Sequence, residues 1–221
     1  MKVCHRALLV SSLVVLGGCG TVTDPVDVTP EVYVGTADAD PDAAAVFGQE
    51  WVDEAVTELT AFAVAEAFPA ALLDPERQEF SREDLAGDVI LDRLTPEAAQ
   101  VWEALVDDAL GGDPVAADAV RALRYYGIDE PWTLPEDGQV VRSQEITDVE
   151  VDVDSAGGPG QELLVVSFDH GSTLAFEEDG EGVIFEVEKE MTYVLTPAPE
   201  QEEPSWLITR YNGDFEVAAS Q

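Results

Sequence analysis

Apolar and polar positions follow three rhythms along this chain. An apolar run from Ala7 to about Leu16 comes first, just after the basic start Lys2 to Arg6. Residues 20–41 then show no period. Thr21, Thr23, Pro25, Asp27, Thr29, Pro30 and Pro41 punctuate them, which reads as a tether with room for a short extended piece at residues 32–34. From Asp40-Pro41 the spacing becomes helical. Val46, Phe47, Trp51, Val52, Val56, Leu59, Phe62 and Ala63 form one stripe as far as Phe68-Pro69, so a single long helix is predicted. A second helix follows Ser81, with Leu85, Val89, Ile90 and Leu94 on its apolar face. A third opens at Thr95-Pro96-Glu97, carries Val101, Trp102, Leu105 and Val106, and stops at Gly111-Gly112. A fourth opens at Asp113-Pro114 and carries Val120, Leu123 and Tyr126 to Gly127. A capping side chain followed by proline is a helix start with a mechanism: the first accepts an orphan N–H, and the second needs none.

After Pro131, Trp132 and Pro135 the period switches to two. Four strands are predicted, at about 139–154, 161–177, 182–196 and 205–217. Gly157-Gly158-Pro159-Gly160 marks the first turn, and Glu178-Asp179-Gly180-Glu181 the second, where Asp-Gly is a strong hairpin signal. Helices followed by an antiparallel meander make the fold class α+β, with a single domain over residues 42–221. Strands this long must twist and bend, so the sheet is expected to curve around a packed helix.

The first apolar run is too short to span a bilayer, which takes roughly 20 residues, and no later run is expected to reach that length. A basic start, a short apolar stretch and small residues describe a secretory leader over residues 1–18. It ends in Leu16-Gly17-Gly18-Cys19, which resembles the lipobox of bacterial lipoproteins. That resemblance implies a diacylglycerol thioether on Cys19 and cleavage before it. The protein would then sit on the extracytoplasmic side of the cell membrane, lipid-anchored, with residues 19–41 as its flexible tether. A plain secreted protein is the competing reading.

Composition then narrows the chemistry. Cys4 leaves with the leader, so Cys19 is the only other cysteine, and no intramolecular disulfide or free catalytic thiol remains. His170 is the one histidine beyond the leader, which excludes zinc sites built from several His and Cys ligands. Asp and Glu number 47 against 10 Lys and Arg, a formal charge of −37. Such a field repels nucleic acid and anionic headgroups. The acids are spread along the whole chain and lysine occurs only at Lys2 and Lys189, a pattern of general solvation rather than of one cation site. The series Asp148, Glu150, Asp152, Asp154 reads as the wet face of the first long strand. Neither register of it places glycine and glutamate where a calcium loop needs them. No nucleophile elbow, phosphate loop or dinucleotide fingerprint occurs, and no cofactor or metal is implied.

The long first helix with Trp51 and Phe62, the four-strand meander and its last strand Trp206-Leu207-Ile208 together resemble the NTF2-like (cystatin-like) superfamily, over about residues 42–217. That resemblance implies a cone of curved sheet around the helix. Strand alternation maps the inner face. Val183, Phe185, Val187, Lys189, Met191, Tyr193 and Leu195 share one side of the third strand, with Glu186, Glu188 and Glu190 opposite. Phe168 and His170 align on the second strand, and Trp206, Ile208 and Arg210 on the fourth. His170, Lys189, Tyr193 and Arg210 are therefore the candidate ligand-binding residues. Two simpler fates compete with that role: Lys189 and Arg210 pairing with acids near strand ends, and a bulge at Gly171 turning His170 outward.

The expectation is a non-catalytic envelope protein that binds a small apolar ligand or a protein partner. The alternatives are an enzyme of the isomerase or cyclase type, using Asp169, His170 and Tyr193, and a purely structural domain.

Overall fold

The computed structural model describes residues 30–158, 160–199 and 205–220. The leader and Cys19 lie outside the described residues. Strand β1 (Glu31–Val34) and the two-residue β2 (Asp38–Ala39) come first. They are followed by α1 (Pro41–Phe47) and α2 (Gln49–Glu66), which replace the single helix that the period predicts. Gly48 separates them at φ +88°. Gly87, at φ +63°, likewise splits the second predicted helix into α3 (Arg82–Ala86) and α4 (Asp88–Asp92). Glycine enters this left-handed region without the clash a Cβ brings. Helices α5 (Pro96–Leu110) and α6 (Pro114–Leu123) begin at the predicted caps. Thr95 accepts the N–H of Ala98 at 3.3 Å, and Asp113 accepts those of Val115 and Ala116 at 2.9 and 3.2 Å.

The four long strands are β3 (Val141–Asp154), β4 (Leu163–Glu178), β5 (Glu181–Pro197) and β6 (Trp206–Ser220). All lie close to their predicted limits. The sheet nevertheless has six strands, not four. Its order is β1-β3-β4-β5-β6, with β2 also on β3, and it does not close. β1 and β2 run parallel to β3, while the other pairs are antiparallel. The two extra strands come from the segment read as tether. At four and two residues they are too short for a period to show, and their partner is distant in sequence.

Between β4 and β5 the chain turns through Asp179 and Gly180, both at positive φ (53° and 84°), with Glu178 opposite Glu181. Two positive-φ residues in a two-residue loop give a turn whose twist matches that of the strands. Three irregularities interrupt the ladders, the first between Val141 and Ser143 of β3. A second lies between Thr147 and Glu150 of β3, where Asp148 has φ 49°. The third lies between Val194 and Leu195, whose partners Arg210 and Ile208 leave Thr209 as the extra residue.

The helices cover one face of the sheet. Leu59 and Phe62 of α2, Trp102 and Val106 of α5 and Val120 of α6 are buried with Ile146, Val166, Phe168, Tyr193 and Trp206 in one core. Trp102 donates its Nε1–H to the carbonyl of Ala86 at 2.8 Å, so its burial leaves no orphan donor. A second cluster gathers Phe68, Tyr125, Trp132, Phe176 and Phe185. Trp132 stacks on Phe176 with centroids 5.2 Å apart. The sequence reading also passed over the apolar stretch Gln49–Leu72, which is long and apolar enough to cross a bilayer by length and composition alone. Its Val52, Ala55, Leu59, Phe62 and Ala63 are core residues here, which accounts for its apolarity.

Candidate functional site

Strand alternation places His170 and Lys189 on the helix-covered face, directly opposite one another across β4 and β5. Both are about 1% exposed. Gly171 causes no bulge: the ladder is regular there, with Ile146 opposite His170 and Glu145 opposite Gly171. His170 Nε2 lies 3.0 Å from Oε1 of the buried Gln144. An amide oxygen only accepts, so His170 carries its proton on Nε2. The ring edge meets Phe68 at 5.3 Å and 85°. Burial, then the nearby amine of Lys189, hold the His170 imidazolium pKa down to about 3.

Lys189 finds no acid. Among the described residues no ion pair includes it, contrary to the expected pairing near a strand end. Its Nζ donates to the carbonyl oxygen of Ala67 at 3.2 Å and sits 4.3 Å from the Phe68 ring centroid and 5.8 Å from that of Tyr125. Ala67 is the residue that ends α2. The amine therefore meets the negative end of a helix and two aromatic faces, which favour its charged form. Complete burial works against that and pushes its pKa well below the ordinary lysine value.

Tyr193 is also fully buried, stacked on Phe168 with centroids 5.5 Å apart, and burial raises its phenol pKa. It pairs with Val166, four residues from His170 along β4. At about 3.3 Å per residue the two side chains are anchored roughly 13 Å apart. Asp169 is exposed on the opposite face, where it pairs with Glu190. The trio named for acid–base chemistry is thus split across both faces of the sheet.

Arg210 does not reach the inner face. The extra residue Thr209 shifts the alternation by one, so that Tyr211 turns inward against Trp102 and Arg210 outward. Its guanidinium bonds Asp154 at 2.7 Å with 62% of the side chain exposed. The Ala156 N–H and Arg210 together hold the Asp154 carboxyl below its usual range.

Several openings lie outside the core; one of about 600 Å³ has Phe47, Asp154 and Arg210 in its wall. On the bare face of the sheet a cavity of about 600 Å³ is lined by the acids Glu145, Asp169, Glu188, Glu190, Asp214 and Glu216, with His170 and Lys189 at its floor, their side chains directed to the other face. Glu190 faces Asp169 on one side and Asp214 on the other, and Glu188 faces Glu216, so like charges stand opposed across the strands. Between α5 and β6 a smaller apolar hollow of about 280 Å³ has Val101, Trp102, Leu105 and Tyr211 in its wall. Between α2 and β1 runs a groove of about 700 Å³. Sequence reasoning missed this groove. Val32 and Val34, alternating just after Pro30, were the signal for its strand side.

No family model, no curated protein and no solved structure matches this chain.

Proposed function

We propose that this chain is a lipid-anchored protein of the cell envelope, without a catalytic role, whose domain binds a protein partner or a small apolar ligand at its surface. One observation carries the non-catalytic part. His170, Lys189 and Tyr193 are sealed among core side chains, while Asp169 and Arg210 face solvent elsewhere. A general acid or base must come within about 3 Å of a substrate atom. Asp169, His170 and Lys189 all border the acidic cavity, but the side chains of His170 and Lys189 turn away from it onto the helix-covered face and are only about 1% exposed. What remains for binding is the outer surface, with its acidic cavity and two apolar hollows. An NTF2-like kinship fits the four long antiparallel strands packed against α2. The parallel strands β1 and β2 are additions to the meander on which that resemblance rests.

The anchor rests on Leu16-Gly17-Gly18-Cys19. Two acyl chains hold a protein on a bilayer where one does so only marginally, at about 0.8 kcal/mol per buried CH₂. Cys19→Ser should release the protein from the membrane fraction or leave its leader uncut. A variant that fractionates and processes like the parent chain would refute the anchor. Capture of the native protein with mass spectrometry of bound lipids and proteins tests the binding part, and an empty capture would count against it.

A further inference from the structure

Strand β1 ends the sheet. Among the described residues it pairs only with β3, and all four of its residues are exposed. Gly35 donates its N–H to Ile146 at 2.7 Å. N–H groups alternate sides along a strand, so those of Val32 and Val34 point away from β3 to a free edge. A free edge of this kind is a template for another strand. Beside it lies the 700 Å³ groove, walled by Val32 and Val34 on the strand and by Val56, Thr60, Ala61 and Val64 on α2. Val32 and Val34 are 48% and 43% exposed. The groove is aliphatic, and Asp53 is the one charged residue in its lining.

The charge carried by the segments that build it is one-sided. Residues 30–76, which hold β1, β2, α1 and α2, contain no lysine or arginine, yet Glu31, Asp38, Asp42, Glu50, Asp53 and Glu54 surround the groove's elements. Residues 20–29 of this chain carry Asp24 and Asp27 and no basic residue, so neither they nor a second copy complements that charge.

We propose that β1 and α2 form a docking groove for an extended segment of a partner protein, added to the sheet as a new edge strand. Its alternate residues are aliphatic and drop between β1 and α2. The intervening ones are lysine or arginine and lie on the side of Glu31 and Tyr33, next to Glu145, which is opposite Tyr33 in the ladder. Backbone hydrogen bonds to Val32 and Val34 supply affinity, and the groove reads every second side chain. This rests on the reading of the chain as a binding protein and is independent of the lipid anchor.

The test uses the full chain and a labelled six-residue peptide of alternating lysine and valine, followed by fluorescence anisotropy. A block peptide of the same composition, three lysines then three valines, is the control. The alternating peptide should bind at least tenfold more tightly than the block peptide. Val34→Pro, which removes one outward N–H, and Ala61→Trp, which fills the groove from the exposed side of α2, should each erase that difference with the melting temperature preserved. Equal binding of both peptides, insensitive to both variants, would reduce the effect to general acidity and overturn the proposal. So would absence of binding, and so would self-association that Val34→Pro abolishes, which would give the groove to a second copy. A partner captured from the native protein and unaffected by either variant would overturn this groove and leave the wider binding reading intact.

Discussion

The amine of Lys189 donates to the carbonyl oxygen of Ala67 at 3.2 Å, joining the middle of β5 to the end of α2 without a carboxylate. The same oxygen also accepts the N–H of Tyr125 at 2.8 Å. Removing the amine would therefore leave no orphan acceptor, and no stranded acid.

Lys189→Met should then keep the fold and leave stability unchanged or raised by about 1 kcal/mol, as when a buried charge gives way to an apolar side chain of similar length. Urea unfolding of both proteins measures it. A loss beyond about 3 kcal/mol would mean that Lys189 holds a buried partner after all.

His170 makes stability fall in acid. Its pKa drops from 6.5 to about 3 on folding, so below pH 6.5 the unfolded chain takes up a proton that the folded one refuses. Stability from this group is complete above pH 6.5 and declines as pH falls, at up to about 1.4 kcal/mol per unit, until the folded value near 3 is reached. Between pH 6 and 5, before most carboxylates titrate, His170→Gln should flatten the slope of stability against pH. Identical slopes for the two proteins would refute this account of His170.

Gly87→Ala should cost about 2–4 kcal/mol. Gly87 has φ +63°, and a Cβ built there would overlap Nη1 of Arg124. That guanidinium is 14% exposed, lies 3.4 Å from Glu66, and is already depressed in pKa by burial. The added methyl group strains the backbone and pushes a nearly buried cation off Glu66, the acid it pairs with. Chemical denaturation decides; a cost under about 0.5 kcal/mol would show that Arg124 has room to move.

Salt should stabilise the domain. With 47 acids against 10 basic residues, and with Asp169, Glu190 and Asp214 in one row across the bare sheet face, repulsion opposes folding and is screened by added ions. Melting temperature should climb steadily with sodium chloride, and divalent ions should add little. A saturable gain at micromolar calcium would instead reveal a specific site.

Local signals made much of this fold legible. Asp40-Pro41, Thr95-Pro96 and Asp113-Pro114 each start a helix because a cap and a proline act within one turn. The burial of His170 and Lys189 followed from strict alternation along β4 and β5. Gly48 and Gly87 were not legible as breaks, since an isolated glycine in a helical pattern costs only about 1 kcal/mol and is often tolerated. Arg210 was misplaced because one extra residue, Thr209, inverts every later side chain and leaves no mark in the pattern. The extended piece at residues 32–34 was legible, but its pairing, and β2 altogether, escaped because their partner, β3, lies beyond the helices α1 to α6.

That separation sets an order of events. The β4–β5 hairpin can close around Asp179-Gly180 as soon as both strands exist, whereas Glu31 must await Ser143. Contacts between such remote positions carry a larger closure entropy than those of a hairpin and are expected to form later. β1 is thus expected to be seated after the hairpin, held by a short parallel pairing at the rim. It is also the part of the sheet that opens at least cost, and its amides should exchange with solvent long before those of the hairpin.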